Sequence, residues 1–163
     1  RLLAAAAAVG SDSPFFLAGG TARARGRGER VTPLPTLPRH GVVLFLPPET
    51  LELKTVRAFA ALALHPYDAG GVTAAFAAAS PPAFSSADVH NAFERVAFDL
   101  FPGLARLWEA LEARTGGPIR LAGAGPTLFW IGPEARTAAI AAAGEGLACT
   151  TIPTATAGPL WRP

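Results

Sequence analysis

"IRLAGAGPTLFWIG", residues 119–132, decides the fold. Two apolar runs flank a turn built from glycine, alanine and proline. A dinucleotide fingerprint would pass from its glycines into a helix and carry a third glycine. Here Pro126 and the strand-like "TLFWI" follow, which excludes Rossmann-type binding and predicts strand, tight turn, strand. A turn with so little side-chain bulk is either a plain hairpin or a place where a second backbone or a ligand comes close. Both readings stay open on the residues alone.

Working outward, Val42 to Leu46 is a short apolar run stopped by Pro47 and Pro48, which suits a buried strand. Leu53 to Leu64 reads as a helix. A further helix has Val89, Ala92, Phe93, Val96 and Ala97 on one face, with Ser86 or Asp88 as its cap. The next places Leu104, Leu107, Trp108 and Leu111 on one face and ends at "TGG", Thr115 to Gly117. Downstream, Glu134 to Ala143 is a predicted helix and Leu147 to Pro153 a closing strand. From residue 42 the order is β, several helices, β, β, α, β. That is an α+β, ferredoxin-like βαββαβ pattern with extra helices in the first crossover.

The first forty residues read differently. Residues 1–9 are helical, and Gly10 ends the helix. Pro14 is expected to block an immediate restart, so Phe15 to Arg25 is predicted as a strand, "GRGE" as a turn and "RVTPL" as the returning strand. Arg23, Arg25, Arg27 and Arg30 surround this hairpin, either as a charged edge or as a phosphate-side patch. Pro33 to Gly41, "PLPTLPRHG", is the predicted domain boundary.

Composition narrows the function. Half of the 163 residues are apolar, 16% are charged and the formal net charge is +2, which describes a packed soluble chain. The basic excess is small, so no nucleic-acid partner is expected. The single cysteine, Cys149, excludes an internal disulfide, fits a reducing cytoplasm and reads as a small core residue. Leu2 to Val9 is too short to cross a bilayer, so no membrane partner is expected. No methionine occurs, not even at position 1, which leads to the expectation of a chain lacking its N-terminal part. His40, His65 and His90 have no metal-ligand spacing, HExxH and CxxC are absent, and no structural metal is predicted. G-x-S-x-G is absent too.

Two residues stand out as chemistry. Asp12 follows a helix exit, where an acid faces the negative end of the dipole. It is either a turn former bonding its own backbone or a carboxylate in a cleft, able to take a proton from a hydroxyl. Phe59 shares a helical face with Val56, Ala60 and Ala63, and is either core or a surface for stacking on a ring ligand.

Taken in order, the motifs become specific. "GSDSPFFLAGGTARARGRGERVTPLP", residues 10–35, resembles the "G-A-D-V-P-F-F…G-G-T-A…G-x-G-E…L-x-P-L" segment of the 4-diphosphocytidyl-2-C-methyl-D-erythritol kinase family. That family belongs to the superfamily of galactokinase, homoserine kinase, mevalonate kinase and phosphomevalonate kinase. "LAGAGPTLFWI" resembles the superfamily's third motif, a glycine-rich hairpin. "HNAFERVA", residues 90–97, resembles "N-D-L-E-x-x-A", and "GPLWRP", residues 158–163, a short C-terminal signature.

The resemblance implies an ATP-dependent small-molecule kinase using Mg²⁺ that phosphorylates the C2 hydroxyl of diphosphocytidyl-methylerythritol. Asp12 matches the family's catalytic carboxylate. Thr55 and Phe59 match a threonine followed one turn later by an aromatic that stacks on cytosine. Gly123 and Gly125 match the third-motif glycines, which support the phosphate-binding region and the substrate pocket. It further implies that residues 1–38 are the remnant of an N-terminal α/β nucleotide-binding domain and residues 39–163 a ferredoxin-like substrate-binding domain. Ala122 and Ala124 stand where hydroxyl residues are usual, Ala92 where Asp is common, and Ser11 and Ser13 where Ala and Val are usual. The family's ATP loop, "P-x-x-x-G-L-G-G-G-S-S-D", and its early lysine are absent from the chain, so no cofactor-binding residue is assigned and residues 1–163 alone are expected to be inactive. The alternatives are a sister kinase acting on mevalonate, homoserine or a sugar, and a non-catalytic ferredoxin-like binding module. Monomer and homodimer both remain open.

Overall fold

A computed structural model describes residues 2–66, 69–79 and 85–158. These fall into two units, one of residues 2–39, 70–79 and 156–158, the other of residues 40–66, 69 and 85–155. The "GPLWRP" match lies, beyond Gly158, outside the described residues.

The first unit opens with α1 (Leu2–Val9) and α2 (Ser13–Ala18), followed by the hairpin β1 (Ala22–Arg25) and β2 (Arg30–Pro33). The hairpin is antiparallel, with Arg23 opposite Thr32. The predicted strand Phe15–Arg25 is corrected here, because its first part is helix α2. Pro14 sits in the first turn of that helix, where its missing N–H costs nothing and its fixed φ is already helical. A proline that would break a helix interior therefore starts one. Thr21 anchors the chain leaving β2, its backbone carbonyl accepting from Leu34 N and its hydroxyl from Leu37 N.

The second unit is built on β3 (Gly41–Leu46), which is followed by α3 (Lys54–Leu62). In sequence, α4 (Gly71–Ala78) comes next and belongs to the first unit. The crossover resumes with a 3₁₀ turn (Ser86–Asp88), α5 (Glu94–Leu100) and α6 (Leu104–Thr115). It then runs through β4 (Arg120–Leu121), β5 (Leu128–Gly132), a second 3₁₀ turn (Glu134–Arg136), α7 (Thr137–Ala142) and β6 (Thr150–Ala155). The four strands form one antiparallel sheet in the order β4-β5-β3-β6. This is the ferredoxin-like arrangement expected from the sequence, with β3 central and β6 an edge that tolerates Pro153.

The predicted helix from Val89 is also corrected. The chain makes a 3₁₀ turn capped by Ser85, whose hydroxyl accepts from Ala87 N while Asp88 accepts from Ser85 N, and α5 begins only at Glu94. Local side-chain bonds compete here with the helix. The α6 face came out as read: Leu104, Leu107, Trp108 and Leu111 are all buried. They cover the sheet face that carries Val43, Phe45, Leu121, Leu128 and Trp130. Gly103, at the N-cap of α6, has no Cβ, and the Glu49 carboxylate occupies that space beside the positive helix end.

Leu111 is 0% exposed and Val56 is 64% exposed. Leu111→Ala is expected to cost about 3 kcal/mol and Val56→Ala less than about 0.5 kcal/mol. Urea unfolding followed by fluorescence of the buried Trp108 and Trp130 checks both.

Candidate functional site

Residues 122–126 of the turn between β4 and β5, Ala-Gly-Ala-Gly-Pro, carry no polar side chain to hold it, and a neighbour does so instead. The Asn91 carboxamide donates to Leu121 O at 2.9 Å and to Gly123 O at 2.8 Å, while its own oxygen accepts from Phe93 N at 3.0 Å. All three bonds agree on the orientation of the amide. Inside the turn, Ala122 N donates to Thr127 O and Gly125 N to Ala122 O. Gly125 has φ +77°, and a Cβ there would lie 3.1 Å from both Leu121 Cδ1 and Phe101 Cε2. Glycine is therefore required twice over, by conformation and by space. The Gly125–Pro126 peptide is cis.

Further bonds tie the same strands down. Glu94 accepts from Leu121 N at 3.1 Å and lies 3.8 Å from the Arg120 guanidinium. Arg120 Nε donates to Ser86 O at 2.8 Å. Ser86, 1% exposed, accepts from Ile131 N and donates to Ile131 O. Each of these buried or half-buried polar groups has a partner, which is the condition for keeping it inside.

Beside this clasp lies a cleft of about 440 Å³ lined by Phe59, Leu62, Ala63, His65, Pro66, Ala92 and Arg95. Phe59 is 58% exposed, and its ring meets Phe93 edge-on at 5.0 Å between centroids. Its helical companions Val56, Ala60 and Ala63 are exposed as well; in α3 the buried residue is Ala58. Phe59 is thus not part of the core that the described residues form. Thr55 is exposed, one turn before Phe59 on α3.

Residues 91 to 95 serve the turn and the cleft by turns. Asn91 and Glu94 bond the hairpin strands, Phe93 backs the Phe59 ring, and Ala92 and Arg95 line the cleft.

In the first unit, Asp12 occupies the break between α1 and α2. It is the N-cap of α2, with φ −90° and ψ −12° and no side-chain cap bond. The expected helix-exit position is thereby refined: the carboxylate also stands at the start of a second helix. It is exposed. The turn between β1 and β2 backs it, since a Cβ on Gly28 (φ +119°) would lie 2.9 Å from Asp12 Oδ1 and 3.1 Å from Ser11 O. Glu29 shapes this turn by accepting from Arg27 N at 2.7 Å. Hydrogen bonds from the backbone amides of Glu29 and Arg27 hold its carboxyl below the usual value, with smaller help from Arg30 and Arg27.

Among the described residues no group of three or more His, Cys, Asp or Glu is arranged to hold a metal ion. No helix there is long and apolar enough to cross a membrane. Burial raises the Cys149 thiol pKa, partly offset by a hydrogen bond with Thr151, which leaves it little thiolate for nucleophilic work.

Residues 73–147 match the family described as GHMP kinases C terminal. Over these residues the chain is similar to the C-terminal domain of GHMP kinases. A relative from Dehalococcoides mccartyi named 4-diphosphocytidyl-2-C-methyl-D-erythritol kinase is 42% identical over 141 residues, covering 85% of this chain and 49% of the relative. Another of that name, from Pelotomaculum thermopropionicum, is 38% identical over 140 residues, covering 84% and 48%. The chain thus spans about half the length of the curated relatives it matches. A crystal structure of 4-(cytidine 5'-diphospho)-2C-methyl-D-erythritol kinase superposes with a TM-score of 0.69 at 29% identity, covering 97% of this chain and 58% of that one. Homoserine kinase from Cytophaga hutchinsonii, with TM-score 0.52 at 14% identity and covering 90% and 50%, shares the fold.

Within the second unit, the structure sets Phe59 on the cleft and Gly123 and Gly125 in the clasped turn. Asp12 belongs to the first unit. Sequence reasoning passed over the work of Asn91, Glu94 and Arg120, and the presence of His65 and Arg95 at the ring. The available signal was "HNAFERVA", in which Asn91 and Glu94 fall on the polar positions of the N-D-L-E pattern. Asn91→Ala is expected to destabilise the domain by about 1–2 kcal/mol and to speed hydrogen exchange at the Ala122 and Gly125 amides above all others. Asn91→Asp, unable to donate, should do the same. Exchange monitored by NMR checks both variants.

Proposed function

We propose that this chain supplies the catalytic carboxylate and the substrate-binding domain of an ATP-dependent kinase. The reaction is phosphorylation of the C2 hydroxyl of 4-diphosphocytidyl-2-C-methyl-D-erythritol, in the cytoplasmic synthesis of isoprenoid precursors. The observation that carries the reading is the Phe59 ring. A phenylalanine held 58% exposed over a cleft is poorly used unless another ring covers it. A cytosine-bearing substrate is also what separates this kinase from sister enzymes acting on mevalonate, homoserine or sugars. The named relatives support the same choice.

In this reading the Asp12 carboxylate accepts a hydrogen bond from the C2 hydroxyl and orients its oxygen. It takes the proton as that oxygen bonds to the γ-phosphorus and the bond to the β–γ bridging oxygen breaks, releasing ADP. Phosphoryl transfer needs mainly positioning and charge neutralisation. The exposure of Asp12 and the absence of a side-chain cap bond leave its oxygens available for this work. Ala122 and Ala124 contribute no hydroxyl, so the turn acts through its backbone. The amides of Gly123 and Ala124 meet no acceptor among the described residues and are able to donate to a substrate oxygen.

The family implies ATP with Mg²⁺. The described residues offer no metal-ligand cluster, so no step is assigned to a metal through this chain. Residues 1–38 and 39–163 are read as the carboxylate-bearing and substrate-binding portions.

In a kinase containing this chain, Asp12→Asn is expected to lower kcat by about 10²–10⁴ with KM nearly unchanged. Near-normal turnover would remove the assignment, and a substrate panel showing no dependence on the cytidine group would favour a sister kinase. Residues 1–163 alone, lacking a glycine-rich loop that opens a helix, are expected to show no ATP binding by calorimetry.

A further inference from the structure

The turn of residues 26–29 does more than reverse the chain between β1 and β2. Its sequence, Gly-Arg-Gly-Glu, carries two glycines at positive φ, Gly26 at +74° and Gly28 at +119°. Each leaves room for a different carboxylate. The Glu29 carboxylate occupies the space that a Cβ on Gly26 would fill. From there it accepts from Arg27 N at 2.7 Å and lies 3.8 Å from the Arg30 guanidinium. Gly28 N closes the turn by donating to Arg25 O at 3.3 Å. A Cβ on Gly28 would lie 2.9 Å from Asp12 Oδ1 and 3.1 Å from Ser11 O. The bare backbone of Gly28 therefore stands against both the Asp12 carboxylate and the peptide that leads into it. The two acids are in opposite conditions. Glu29 is engaged by the amide and guanidinium groups of its own turn, whereas Asp12 is exposed and makes no side-chain cap bond.

We infer that the turn of residues 26–29 is a positioning element for Asp12: Gly28 sets the direction of the carboxylate, and Glu29 keeps Gly28 in place. The inference rests on the reading of Asp12 as the proton acceptor and adds to it what aims the group. A carboxylate left free for a substrate hydroxyl has no bond of its own to fix its rotamer. A wall of backbone on one side removes the unproductive directions without occupying the oxygens. A side chain at position 28 would take the space that Oδ1 needs, and the positive φ disfavours one there in any case. Displacing a reacting group by about 1 Å can cost about a hundredfold in rate, so the aim of the carboxylate matters as much as its presence.

The test is a set of double-mutant cycles in a kinase containing this chain, with kcat and KM measured at saturating ATP. Gly28→Ala is expected to lower kcat about ten- to hundredfold with KM nearly unchanged. Glu29→Ala should lower kcat about three- to tenfold. Glu29→Gln, which keeps an acceptor oxygen for Arg27 N, should recover most of that loss. In an Asp12→Asn background, Gly28→Ala and Glu29→Ala should both lose their effect, because a group that acts through Asp12 has nothing left to aim. Equal kcat losses in the two backgrounds, or a kcat unmoved by Gly28→Ala in the unaltered background, overturn the inference and leave Asp12 standing. Near-normal turnover of Asp12→Asn alone overturns the reading of Asp12 and the inference with it. A thermal melt accompanies each variant, and if Gly28→Ala unfolds the protein, the Glu29→Ala cycle decides by the same outcomes.

Discussion

The carboxamide of Asn91 is the interaction on which the candidate site depends. A glycine turn can approach a ligand closely because it has no side chains in the way, and for the same reason it cannot hold its own shape. Asn91 resolves that conflict from outside. It occupies two turn carbonyls with one NH₂ group and has its own oxygen fixed by Phe93 N. Carbonyls facing a donor no longer face the ligand, so the amides are left as the chemical character of the turn. Glu94 and Arg120 then fix the strand that enters it.

The ferredoxin-like sheet explains why this clasp sits where it does. The order β4-β5-β3-β6 puts the β4–β5 hairpin at one edge, with no further strand among the described residues to support β4. A two-residue strand at an edge is weakly held by its own ladder. Ser86, Asn91 and Glu94, all in the crossover before α6, supply the missing bonds from the side. The extra helices of the crossover are thus more than insertions, because they bring the ring of Phe59 and the support for the turn into one neighbourhood.

Much of this was legible in the sequence, and the physical reasons for the failures are specific. The hairpin at residues 119–132, the α6 face and the stop at Gly116 follow from period, turn chemistry and an αL glycine at φ +65°. The stretch after Asp12 was misread because Pro14 is equally compatible with ending one helix and starting another, and only tertiary context chooses. The start of α5 was misread because Ser85 and Asp88 close a local turn that outbids helix propensity over residues 89–93. At the site, Phe59 was visible as an aromatic at helical spacing, but its exposure was not, since an amphipathic pattern does not say which face is covered. Asn91, Arg95 and His65 were invisible as a group because they come together only when the end of α3 meets the start of α5.

The alternation along residues 91–95 has one last consequence. Five consecutive residues divide their contacts between a turn and a ring-bearing cleft, Asn91 and Glu94 on the one side, Phe93 and Arg95 on the other. A substitution that shifts this short backbone therefore touches both neighbourhoods at once. Any coupling between them runs equally in both directions.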